Sequence, residues 1–63
     1  MSYEEALDAM RQGNKVSHQY FTSNEHFEMV RGRVVCEDGY SMAGWYKGED
    51  WQNIGWYIKE VAA

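Results

Sequence analysis

Cys36 is the only cysteine in a chain of 63 residues, and that pairing restricts the possible folds more than any motif does. A domain of about 60 residues buries only about 60% of the surface its unfolded chain exposes. Small domains that fall short draw on disulfides, metals or further subunits. A lone thiol closes off the internal disulfide. The chain is therefore expected to form a single domain over residues 1–63 and to gain stability as a homo-oligomer. Ten of its side chains are aromatic, and large rings are an efficient way to fill a small core.

Composition also sets the surroundings. No apolar run approaches the roughly 20 residues needed to cross a bilayer. The opening Met-Ser-Tyr-Glu-Glu is acidic where a signal peptide is basic and then apolar, and a lone thiol suits a reducing compartment. A cytoplasmic protein without membrane contact is expected. Ten acidic residues against six basic ones give a net charge of −4. That balance argues against direct nucleic-acid binding, whose affinity comes from neutralising phosphates. The carboxylates also fall in scattered pairs, unlike the dense array a DNA mimic would carry.

Local patterns predict an α+β fold: one N-terminal helix packed on an antiparallel meander of four to five strands. The first dozen residues read as the helix. Ser2 is the N-cap and Glu5 completes a capping box, while Tyr3, Ala6, Leu7 and Met10 form one apolar stripe. Gly13 and Asn14 end it. Residues 15–20 read as a strand with Val16, His18 and Tyr20 on one face, and Thr22, Ser23 and Asn24 as a turn. Residues 26–30 and 33–36 bracket Arg31-Gly32 as a hairpin, and Glu37-Asp38-Gly39 suits a three-residue turn closed by a glycine bulge. Residues 40–46 read as a further strand interrupted at Gly44. Residues 47–53 read as a loop containing Trp51. Residues 54–61 read as the closing strand, with Ile54, Trp56 and Ile58 on one face.

Few groups can carry chemistry. His18, His26 and Cys36 are the only soft metal ligands, and none falls in a paired zinc spacing; a buried Cys36 and two partly exposed histidines are expected, with no metal and no cofactor. Glu37 and Asp38 beside Cys36 oppose thiolate formation. Glu37, Asp38, Glu49 and Asp50 sit next to glycines, as turn residues do. A binding protein rather than an enzyme is expected. The aromatic content is the anomaly. Trp45, Tyr46, Trp51, Trp56 and Tyr57 crowd into one short stretch. Trp56 suits the core, whereas Trp45 and Trp51 sit beside glycines and charges, as interface and ligand-stacking rings do. Arg31 and Arg33 at the hairpin are candidate phosphate forks.

Ser2-Tyr3-Glu4-Glu5-Ala6-Leu7, then Gly13-Asn14-Lys15-Val16, then Phe21 resembles the opening of the small phage-encoded Thoeris anti-defence 2-like domain family. Val30-Arg31-Gly32-Arg33-Val34, Glu37-Asp38-Gly39 and Gly55-Trp56-Tyr57-Ile58 are compatible with the same layout. The chain departs from that pattern at Phe21, where tryptophan is usual, and at Gly55-Trp56, where an Asp-Trp pair is usual. The resemblance implies a homo-oligomeric sponge in the host cytoplasm. Such a protein sequesters a nucleotide immune signal, a cyclic ADP-ribose variant or a cyclic oligonucleotide, between subunits without hydrolysing it. On that reading Phe21, Trp45 and Trp51 supply rings, Arg31 or Arg33 meets phosphate and Asn53 supplies a polar edge. The alternative is a small acidic inhibitor of a host defence enzyme, of anti-CRISPR or anti-restriction type. There Glu37, Asp38, Glu49 and Asp50 would steer the chain to a basic partner.

Overall fold

The helix forms where the capping chemistry places it. In a computed structural model describing residues 1–63, α1 spans Tyr3–Arg11. The Ser2 hydroxyl accepts from the Glu5 amide at 3.1 Å, and the Ser2 amide donates to the Glu5 carboxylate at 2.8 Å. These two bonds satisfy amides that a helix start otherwise leaves open. They also hold the Glu5 carboxyl below its ordinary range, the backbone bond from Ser2 first and the hydroxyl bond second. At the other end the buried Asn14 donates to the Ala9 carbonyl at 3.0 Å and accepts from the Ala62 amide at 2.8 Å. One side chain thus closes the helix and anchors the C-terminal segment.

The sheet has four strands: β1 (Lys15–His18), β2 (Phe27–Val30), β3 (Arg33–Cys36) and β4 (Trp56–Glu60). Their order is β3-β2-β1-β4, with every neighbour antiparallel. The first three strands run as the meander expected. The last returns from the far side to lie beside β1, as in a Greek key. The register pairs Val16 with both Phe27 and Ile58, and His18 with Trp56. These residues therefore share the face that receives the helix.

Both turns around β3 take the expected form. Val30 pairs with Arg33 across Arg31-Gly32, whose φ angles of 53° and 78° are those of a two-residue type I′ turn. After β3, the Gly39 amide donates to the Cys36 carbonyl and the Cys36 amide to the Tyr40 carbonyl, each at 2.9 Å, closing a three-residue turn. The strand expected over residues 40–46 is reduced to a single bridge between Ser41 and Val35. Beyond it the Trp45 amide bonds back to the Met42 carbonyl at 3.0 Å, and this local turn draws the backbone away from the ladder. The Trp51 segment is a 3₁₀ turn, Asp50–Asn53.

Ala6, Ala9 and Met10 of α1 bury against Val16, Phe27 and Trp56. Trp56 is 3% exposed and lies at the centre of a ring cluster with Tyr3, His18, Phe21, Phe27 and Trp45. Two sequence expectations are corrected. Ile54 precedes β4 and is 60% exposed, and Ile58 is 42% exposed, because β4 is an edge strand with no neighbour on its outer side. His18, expected to be partly exposed, is fully buried, and Cys36 is half-buried rather than buried.

Candidate functional site

The site is organised by a polar side chain inside the apolar layer. Gln52 is 2% exposed. Its Oε1 accepts from the Lys47 amide at 2.8 Å and the Glu49 amide at 3.2 Å, and its Nε2 donates to the Trp45 carbonyl at 3.0 Å. These bonds replace the backbone pairing that an irregular segment cannot supply for itself. The Gln52 carbonyl in turn accepts from the Trp56 indole at 2.7 Å. The loop from Trp45 to Asn53 is thereby pinned to the core.

His18 pins the same loop from below. Its Nε2 lies 2.8 Å from the Trp51 carbonyl and 2.6 Å from the Ile54 carbonyl, and its Nδ1 accepts from the Tyr20 amide at 3.1 Å. Carbonyls only accept, so Nε2 carries the proton. Both ring nitrogens are engaged, which leaves His18 a structural residue. No group of three or more His, Cys, Asp or Glu side chains comes together to hold a metal ion.

What the pinned loop presents is Tyr46. Its ring stacks on Tyr3 at 4.2 Å with the planes 4° apart, and its hydroxyl donates to Asn53 Oδ1 at 2.8 Å. Burial, then Tyr46, then Glu4 push the Tyr3 hydroxyl above its ordinary range. Tyr3 and Tyr46 form one wall of an open cleft of about 410 Å³. Gly32, Arg33 and Val34 at the hairpin and the segment from Ser41 to Gly44 complete it. A second cleft of about 340 Å³ lies beside it, lined by Val30, Arg31, Arg33 and Val35. Arg33 borders both.

Charge makes these arginines unusual for an acidic chain. Arg11 pairs with Asp8 at 2.6 Å and Lys15 with Glu60 at 3.7 Å, while Lys59 donates to the Ser23 and Glu25 carbonyls. Arg31, Arg33 and Lys47 alone among the six cations make no ion pair and no side-chain hydrogen bond. Two free guanidinium groups therefore sit together at the β2–β3 turn.

The six residues singled out in the sequence are distributed as follows. Arg33 lines the main cleft and Arg31 the second. Asn53 buttresses Tyr46. Phe21, Trp45 and Trp51 form a continuous ring system, Phe21 to Trp45 at 6.1 Å and Trp45 to Trp51 at 5.7 Å. Trp45 leans on the core through Phe27 at 5.0 Å, whereas Trp51 is exposed and donates its indole proton to Glu49 at 2.6 Å. None of these three rings lines the cleft. Tyr3, Tyr46 and Gln52 were not singled out. Tyr3 reads as part of the helix stripe, and no local spacing marks a tyrosine at one end of the chain as the partner of a loop tyrosine.

Gly55 adopts φ 85°, and a Cβ there would come within 2.6 Å of the Gln19 side chain. Any side chain at this position would meet both the left-handed backbone and that contact. No helix is long and apolar enough to cross a membrane. Comparison with protein-family profiles, with curated proteins and with solved structures finds no match for this chain.

Proposed function

We propose that the protein is a non-catalytic, phage-type binding domain that sequesters a nucleotide signal, a cyclic ADP-ribose variant or a cyclic oligonucleotide. The single observation that carries this reading is the main cleft, which the Tyr3–Tyr46 stack and the unpaired Arg33 line together. A base stacks on an aromatic face at a gain of about 1–3 kcal/mol, and a guanidinium meets phosphate in a two-pronged bond. The volume lies within the range of small-molecule sites. The lining carries no His, Cys, Asp, Glu or Lys, the side chains that most often move protons in catalysis beside tyrosine, and the reading is one of retention rather than conversion.

Nanomolar sequestration requires about −12 kcal/mol, more than one stacked ring and one arginine supply. A homo-oligomer that closes the open cleft would provide the rest. Support comes from β4, an edge strand whose Tyr57 and Ile58, with the flanking Ile54 and Val61, are exposed. Such a surface is one that assemblies cover. On this reading Phe21, Trp45 and Trp51 offer the second aromatic surface, reached across a subunit boundary. Light scattering after size exclusion should give a dimer or larger at micromolar concentration; a monomer removes the shared pocket.

The function itself is tested by incubating the purified chain with a panel of cyclic ADP-ribose isomers and cyclic dinucleotides, then heat-denaturing the protein. One nucleotide should be depleted from solution and returned intact, and Tyr46→Ala should abolish the depletion. A ligand returned cleaved means an enzyme. No depletion, together with salt-sensitive capture of a basic protein, supports the inhibitor reading instead.

A further inference from the structure

We infer that the β2–β3 turn is a clamp for two adjacent phosphate groups, a diphosphate, held between Arg31 and Arg33; this rests on the nucleotide-binding reading above and narrows its ligand. Three independent features converge on the turn. The first is its backbone. Arg31 is the only non-glycine residue with positive φ, at the turn position where asparagine, aspartate or glycine is favoured. A long cationic side chain there carries a conformational cost, and such costs persist where a side chain is needed.

The second feature is electrostatic. Arg31 and Arg33 share one cleft, and neither has a carboxylate partner. Like charges lining one cleft repel, and an anion between them relieves that repulsion. A single phosphate satisfies one fork; two linked phosphates satisfy both. The third is position. Arg33 borders the Tyr3–Tyr46 cleft as well, so a diphosphate on the turn continues directly into the space where the base would lie.

The test is calorimetric titration of the whole chain at low ionic strength with inorganic pyrophosphate and, separately, orthophosphate. Pyrophosphate should bind about tenfold tighter or more, the gain of one additional charge-assisted contact. Arg31→Asn should remove that advantage while leaving the melting temperature equal or higher, because asparagine suits the left-handed position. Arg11→Gln, which deletes the same charge from the helix, should leave pyrophosphate binding unchanged. Equal affinity for the two anions, wild-type binding by Arg31→Asn, or an equal loss in Arg11→Gln would each overturn the clamp. If pyrophosphate fails to bind while a nucleotide of the panel is still retained, the clamp alone falls. If neither binds, the nucleotide reading falls with it.

Discussion

Trp56→Ala is expected to leave little or no folded protein at room temperature. The ring touches helix, sheet and loop at once: His18 at 5.0 Å, Tyr3 at 5.5 Å, Phe21 at 5.6 Å, Phe27 at 5.7 Å and Trp45 at 5.8 Å. Truncating a buried tryptophan costs about 3–5 kcal/mol. The change also strands the Gln52 carbonyl, which accepts the indole proton, and an unpaired buried acceptor costs about 1–3 kcal/mol more. A domain of this size has roughly 3–9 kcal/mol of total stability, at about 0.05–0.15 kcal/mol per residue. Urea unfolding followed by circular dichroism checks this. A loss below about 1 kcal/mol, the size of an ordinary surface effect, would mean that the cluster is not the core.

The second large effect is expected at Gln52. Gln52→Leu keeps the volume but leaves the Lys47 and Glu49 amides and the Trp45 carbonyl without their partner. About 2–4 kcal/mol should be lost, less than three full penalties because water reaches part of the loop. Nucleotide retention should fall by more than the loss of folded protein, since the loop carries Tyr46. Gln52→Glu separates the donors from the acceptors. Its carboxylate can still accept from both amides but cannot donate to Trp45, and the charge is buried. Burial raises the folded-state pKa of such a carboxyl above its unfolded value. The deficit against wild type should therefore be largest at neutral pH and shrink as pH falls toward about 4, where the protonated acid donates again. A deficit independent of pH would contradict the assigned bonding.

A smaller pH effect is expected at Tyr3. Its hydroxyl is held above the ordinary tyrosine range by burial and by Tyr46 and Glu4. The folded state therefore holds that proton more tightly than the unfolded one. The contribution is complete below pH about 10, the unfolded value, and is lost as pH rises through the higher folded value. Tyr3→Phe should lessen the alkaline fall in melting temperature. An unchanged alkaline profile would show that Tyr3 is not desolvated in solution.

The parts legible in the sequence are those decided within a few residues. Ser2 and Glu5 fix the helix start through bonds three positions apart, and Arg31-Gly32 and Glu37-Asp38-Gly39 have the residues their turns require. Residues 40–46 misled for the opposite reason. Tyr40, Trp45 and Tyr46 favour strands, but the Met42–Trp45 turn and the capture of the Lys47 amide by Gln52 are stronger local terms. The return of β4 to β1 depends on contacts between the two ends of the chain, which periodicity does not report. The same holds for the site. Arg33 could be picked out as an unpaired cation on a hairpin, whereas the Tyr3–Tyr46 stack exists only once the loop is folded back onto the helix. His18 is expected to be partly exposed, because alternation places it beside Val16 but cannot reveal that the Trp51 and Ile54 carbonyls close over its ring.

The most direct test of the proposed cleft is an amide chemical-shift titration of the whole chain with the nucleotide it retains from the panel. The largest shifts are expected at Gly32, Arg33 and Val34 and at Ser41, Met42 and Tyr46, with the Glu37–Gly39 turn unmoved. Shifts centred on that acidic turn, or on Trp51 with the cleft silent, would contradict it.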